Sequence, residues 1–193
     1  MRVLLAFDGS AAATDAAALV EAIAWPTDTV LRVVSVIEPM LPMAGPLYGG
    51  AGLPQDVDEA ITGYAHDAVR GVVERLGSSG RSIEGDVLRG RAASTIIDDA
   101  RDFGADLLVV GSRGHGTIAS LLLGSVSSEV VDHAPCPVLV ARTTELTRVV
   151  FATDGSASAQ AAERVLSSWP IFRGLPIRVA SVVDIVRPWV TGI

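Results

Sequence analysis

The 193-residue chain is 49% hydrophobic but only 5% aromatic and carries a formal net charge of -7. An acidic surface of this kind attracts neither nucleic acid nor an anionic membrane, so neither is expected as a partner. All fifteen basic residues are arginine, which removes the lysine a Walker-type phosphate loop requires and, with it, P-loop phosphotransfer.

The single cysteine, Cys136, cannot close an internal disulfide, which points to a reducing compartment. Flanked by Pro135 and Pro137, it reads as a packed small residue rather than a reactive thiol. The amino terminus lacks a small-residue cleavage pattern, and no apolar stretch reaches the length of a membrane span, so the expected location is the cytoplasm.

The chain opens with a strand-length apolar run at residues 2 to 7, ended by Asp8-Gly9-Ser10. Ser10 is a good N-cap, and the alanine-rich stretch that follows keeps helical spacing through Leu19, Val20 and Ile23 until Trp25-Pro26 stops it. A second strand runs from Val30 to Ile37. The segment from Pro39 to Pro54 holds several prolines and glycines and reads as a long irregular loop, either folded over the domain or serving as a lid or partner surface. A helix follows from Ile61 to Leu76, then a weak strand at 82 to 88. The next helix is strong, with Ala93, Ile96, Ile97, Ala100 and Phe103 on one face and Gly104 as its stop.

Residues 107 to 131 carry the most informative pattern. The apolar run Leu107 to Val110 stops at Gly111, and Gly114, Gly116, Gly124 and Ser125 precede a new periodic segment at Val126. The order is strand, glycine-rich loop, helix. Glycines let the backbone approach a ligand, and the unpaired N–H groups of a helix start carry partial positive charge, so this order favours an anion such as phosphate. A short helix to His133 and a strand at 137 to 141 complete a strict alternation of strand and helix. That alternation predicts an α/β fold with a doubly wound, five-stranded parallel sheet and helices on both faces. Ligands of such sheets sit beyond the carboxyl ends of the strands where strand order reverses. Asp8 and Gly111 should then face one crevice, where the Asp8 carboxylate suits ribose hydroxyls or a metal, although an Asp before Gly is also a common turn residue.

After a linker at 143 to 147 the pattern restarts. Arg148 to Ala162 repeats the amino-terminal segment, with Asp154, Gly155 and Ser156 in the places of Asp8, Gly9 and Ser10. Trp169-Pro170 echoes Trp25-Pro26, and Arg178 to Val182 echoes Arg32 to Val36. Residues 148 to 193 therefore read as a partial second domain of strand, helix and strand, set after a complete domain at 1 to 142. This partial copy contains no second glycine loop, so Asp154 is expected to bind nothing.

The Gly111-x-x-Gly114, nine-residue, Gly124-Ser125 spacing, the apolar strand ending in Asp-Gly-Ser, and the Ala134-Pro135-Cys136-Pro137-Val138 lead into the last strand together resemble the universal stress protein family, in its ATP-binding tandem form. The resemblance implies an adenine nucleotide alpha hydrolase-like fold. It also implies adenine against Ala6, Phe7, Asp8 and Val36, and ribose near Val110 and Gly111. Phosphates would be held at Gly114, Gly124, Ser125 and Val126, with Ser127 and Ser128 as further candidates. ATP with Mg2+ is the implied cofactor, and strand 138 to 141 the implied surface of a homodimer or tandem pseudo-dimer.

Arg113 reads equally as a phosphate partner or an exposed arginine, and His115 lacks the partner a general base would need. Asp98, Asp99 and Asp102 read as a solvated helix face. The function these residues imply is a nucleotide-dependent stress-response module that need not catalyse anything. The alternatives are a slow ATPase and a binder of AMP or a cyclic nucleotide.

Overall fold

Among the described residues, apolar runs bounded by turn residues form the strands, and a helix follows each of the first four. In a computed structural model, residues 1–39, 54–77, 80–114 and 123–181 are described. The loop expected between Pro39 and Pro54, the residues His115 and Gly116, and the end of the second repeat from Val182 lie outside them. The chain divides into two compact units, Met1–Glu145 and Leu146–Ile193.

In the first unit β1 (Arg2–Ala6), α1 (Ala11–Ala22), β2 (Val30–Ile37), α2 (Gln55–Gly77), β3 (Ser82–Arg89), α3 (Ala92–Phe103), β4 (Leu107–Gly111), α4 (Ser125–His133) and β5 (Val138–Ala141) follow one another. The five strands form one sheet in the order β3-β2-β1-β4-β5, every pair parallel. Two elements are longer than periodicity alone gives. Helix α2 begins at Gln55 because its first turn carries Asp56 and Asp58, which favour a helix start without contributing to an apolar stripe. Strand β3 extends to Arg89 although most of it is exposed or half-buried, because it pairs along its whole length with β2.

Side chains of the central strands alternate between two buried faces. Leu4, Val34, Leu108 and Val110 pack with Ala93, Ile96, Ile97, Ala100 and Phe103 of α3 and with Val130 of α4. On the other face Gly85 of β3 lies under α2, where a Cβ would stand 2.6 Å from Val69 Cγ1 and 2.8 Å from Val73 Cγ2. Arg75 of α2 pairs with Glu21 of α1 at 3.2 Å, which ties together the two helices of that face.

The acidic face of α3 differs from the sequence expectation. Asp98 pairs with Arg101 on the surface, but the side chain of Asp99 is only 10% exposed. Its two oxygens accept from Arg32 Nε and Nη2, both at 2.9 Å, while Glu84 and Asp86 of β3 take the remaining edge of the guanidinium. Helical spacing places Asp99 beside its neighbours; only the sheet brings Arg32 beneath it. The hydrogen bonds to Asp99, with those to Glu84, raise the Arg32 pKa despite desolvation. Cys136 packs half-buried against the core, and that burial, with the nearby Asp106 charge, pushes its thiol pKa up.

The second unit contains β6 (Val149–Ala152), α5 (Ala157–Ser168), a single 3-10 turn at Pro170–Phe172 and β7 (Ile177–Ala180). β6 and β7 pair in parallel as a separate two-stranded sheet. Val150, Ile177 and Val179 are all more than half exposed.

Candidate functional site

The order of the sheet reverses between β1 and β4, and there its carboxyl edge opens. β1 continues one bond beyond its last residue, with Phe7 N–H donating to the Val34 carbonyl at 2.8 Å, and then turns at Asp8-Gly9-Ser10. Gly9 sits at φ 79°, in the left-handed region that a side chain disfavours. Within the turn Asp8 Oδ1 accepts the Ser10 N–H at 2.9 Å, and Ser10 Oγ accepts the Ala13 N–H at 3.1 Å, capping α1. The other Asp8 oxygen faces the glycine loop, such that a Cβ on Gly114 would lie 2.7 Å from Oδ2.

Gly111 answers to a different constraint from the one its place in an anion-binding pattern suggests. A Cβ there would lie 2.7 Å from the Ala12 carbonyl carbon and 2.9 Å from Ala13 N. The glycine lets the first turn of α1 lie against the end of β4. The glycine loop is then fastened from within. Gly124 N–H donates to the Ser112 carbonyl at 2.9 Å, and the buried Ser127 hydroxyl shares its hydrogen between the carbonyls of Ser112 at 3.1 Å and Gly124 at 3.3 Å. The Gly124 N–H, expected on a phosphate, is therefore spent on the loop. α4 has no side-chain cap, so the N–H groups of Ser125 and Val126 meet no protein acceptor among the described residues. A helix start in that condition carries concentrated partial positive charge.

These parts enclose a cavity of about 440 Å³. One wall is the ends of β1 and β2, through Ala6, Phe7, Asp8, Val36 and Glu38. Ala13 of α1 closes another side, and Ala92 and Ile96 of α3 a third. The far side is Gly111, Arg113, Gly114 and the run Leu123 to Ser127. Nine of the ten residues expected from sequence therefore meet at one cavity. Val110 does not: strand alternation turns it to the opposite face from Gly111, into the core, where it is 4% exposed.

Glu38, Ala92, Ile96 and Ala13 also line the cavity, and no local motif marks them for it. Ile96 was legible only as a core-face residue, and nothing local marks α3 as reaching over the end of β2. Glu38 Oε1 accepts the Ala92 N–H at 2.7 Å, capping a helix whose own N-cap residue, Arg91, makes no side-chain bond to it. Arg113 is the one cation on the cavity wall among the described residues, and its carbonyl accepts weakly from Ser10 Oγ at 3.5 Å. No group of three metal-ligating side chains occurs among the described residues.

An apolar slot joined to an uncapped helix start can take a ligand with an aromatic body and an anionic tail. The universal stress protein family model matches residues 1–142. A universal stress protein of Thermus aquaticus is 38% identical over 140 residues, covering 72% of this chain and 97% of its own length. The Mycobacterium tuberculosis universal stress protein Rv2624c is 34% identical over 148 residues, covering 72% of this chain but only 47% of its own, so the match spans about half of that longer relative. Among solved structures, a universal stress protein in complex with cAMP is 26% identical with a TM-score of 0.52, covering 75% of this chain and 97% of that one. This chain belongs to the universal stress protein family.

Proposed function

We propose that this universal stress protein binds an adenine nucleotide, ATP with Mg2+, in the cavity of its first unit and acts as a nucleotide-dependent regulatory module of the stress response. The observation that carries the reading is the junction of two environments: an apolar slot of Ala6, Val36, Ala92 and Ile96 opens onto the uncapped start of α4. A base would lie in the slot. A phosphate would take the Ser125 and Val126 N–H groups, with the Ser125 hydroxyl as a further donor. The volume, about 440 Å³, lies in the range of sites that enclose a small ligand.

Asp8 stands where a ribose hydroxyl or a phosphate-bound Mg2+ would be met. Mg2+ keeps water and phosphate oxygens as most of its ligands, so a lone carboxylate fits it. Arg113 would offset phosphate charge. Binding that favours one arrangement of the glycine loop is enough for a switch, and no chemical step is required. β5 is the last strand of the sheet, and its free edge is where a second copy would pair. A cytoplasmic location fits the unpaired Cys136, and no helix among the described residues is long and apolar enough to cross a membrane.

A second reading, a binder of AMP or cyclic AMP, is supported by the cAMP complex of the structural relative. Mass spectrometry of ligand released by denaturation, followed by calorimetric titration with ATP, ADP, AMP and cAMP with and without Mg2+, separates the two. ATP is expected to be recovered intact and to bind with the highest affinity; steady conversion to ADP would establish an ATPase instead. Gly114→Ala should weaken binding roughly tenfold, as loss of the Asp8 carboxylate would, while circular dichroism stays native, because the new Cβ would stand 2.7 Å from Asp8 Oδ2 and displace the carboxylate. Retained affinity in that variant would sink the site assignment.

A further inference from the structure

Among the residues lining the cavity, one exposed carboxylate is anchored by a hydrogen bond. Glu38 leaves the end of β2, and the 2.7 Å bond from Ala92 N–H to Oε1 holds it beside Val36, Ala92 and Ile96. Among the described residues no donor meets its second oxygen, Oε2. Asp8, the other carboxylate on the wall, is engaged elsewhere, with Oδ1 on Ser10 and Oδ2 against Gly114.

An ionised carboxylate accepts hydrogen bonds and donates none. It therefore stabilises a ligand that presents an N–H to it and repels one that presents a carbonyl oxygen. Resting on the nucleotide reading above, we infer that Glu38 is the base-selecting residue of this cavity. Oε2 takes a hydrogen of the exocyclic amine of a 6-aminopurine, and it disfavours a 6-oxopurine lying in the same pose.

The anchoring bond makes the substitution Glu38→Gln unusually informative. The Ala92 N–H needs an acceptor, so the glutamine carbonyl oxygen keeps that bond and its NH2 turns to the base. The outward group changes from acceptor to donor. It then faces the 6-amino group donor to donor, and the 6-oxo group donor to acceptor.

The test is calorimetric titration of the full chain and of Glu38→Gln with ATP, ITP and N6,N6-dimethyl-ATP, the last lacking the N–H that Oε2 would accept. The unsubstituted protein should favour ATP over both others by roughly tenfold to a hundredfold, the range of one charge-assisted hydrogen bond. The variant should reverse the order of ATP and ITP. A residue that merely caps α3 would change the three affinities together, so an unchanged ATP-to-ITP ratio in the variant overturns the inference. So does equal affinity of the unsubstituted protein for ATP and ITP, which leaves nucleotide binding itself standing. Failure of all three nucleotides to bind the unsubstituted protein overturns both readings at once.

Discussion

The two Asp-Gly-Ser turns are nearly the same object in different surroundings. Gly9 has φ 79° and Gly155 φ 77°. Asp8 and Asp154 each accept the N–H of the serine two residues on at 2.9 Å, and Ser10 and Ser156 each cap a following helix. Around them everything differs. Leu4, Leu31 and Val33 are at most 2% exposed, whereas their counterparts Val150, Ile177 and Val179 are 59%, 51% and 63% exposed. Arg32 is held by three carboxylates from β3 and α3, and no ion pair is found for its counterpart Arg178 among the described residues. A turn of this kind is encoded by four or five residues. A binding site additionally needs the strand, loop and helix that face it.

The largest contrast should come from paired core substitutions. Leu4→Ala is expected to cost about 2–5 kcal/mol, since it removes a fully buried side chain and leaves a cavity. Val150→Ala, at an exposed position, should change stability by less than about 0.5 kcal/mol. Urea unfolding followed by circular dichroism measures both, and equal costs would mean that the second copy is as well packed as the first. Arg32→Ala comes next, at about 2 kcal/mol, because Asp99 loses its partner while 90% covered and is left beside Glu84 and Asp86. Arg178→Ala should be silent in the same assay.

The functional version of the comparison uses the aspartates. Asp8→Ala is expected to weaken nucleotide binding roughly tenfold, and Asp154→Ala to leave it unchanged, in calorimetric titration with ATP and Mg2+. A loss in the second variant would place a nucleotide contact in the repeat. The caps sharpen the comparison further. Ser10→Ala should cost about 1–2 kcal/mol, and Ser156→Ala nearer 0.5 kcal/mol, because the same bond is buried in one copy and exposed in the other.

The smallest effect is chemical. Burial and the Asp106 charge raise the Cys136 pKa, so less thiolate is present at a given pH above neutrality than in an exposed cysteine. Alkylation by iodoacetamide at pH 8 should therefore run slower than for a model thiol, in proportion to the reduced thiolate fraction. Denaturation should restore the ordinary rate.

What the sequence determined by itself was everything carried by short-range pattern. The strand runs, the Ser10 and Ser156 caps, the stop at Gly104 and the repeated turns all follow from a few neighbouring residues, because periodicity, capping and left-handed glycines act within one or two turns of chain. Most of the cavity wall was legible for the related reason that parallel strands deliver their ends to one edge. The tertiary structure decided the remainder, where a residue's role depends on what lies across from it. Gly111 is small because α1 arrives there, the Asp99 side chain is largely covered because Arg32 lies beneath it, and the Gly124 N–H is occupied because Ser112 faces it across the loop. Glu38 joins the site because α3 begins 54 residues later and turns its first N–H toward β2. Sequence order cannot express such distances; the winding of the sheet sets them.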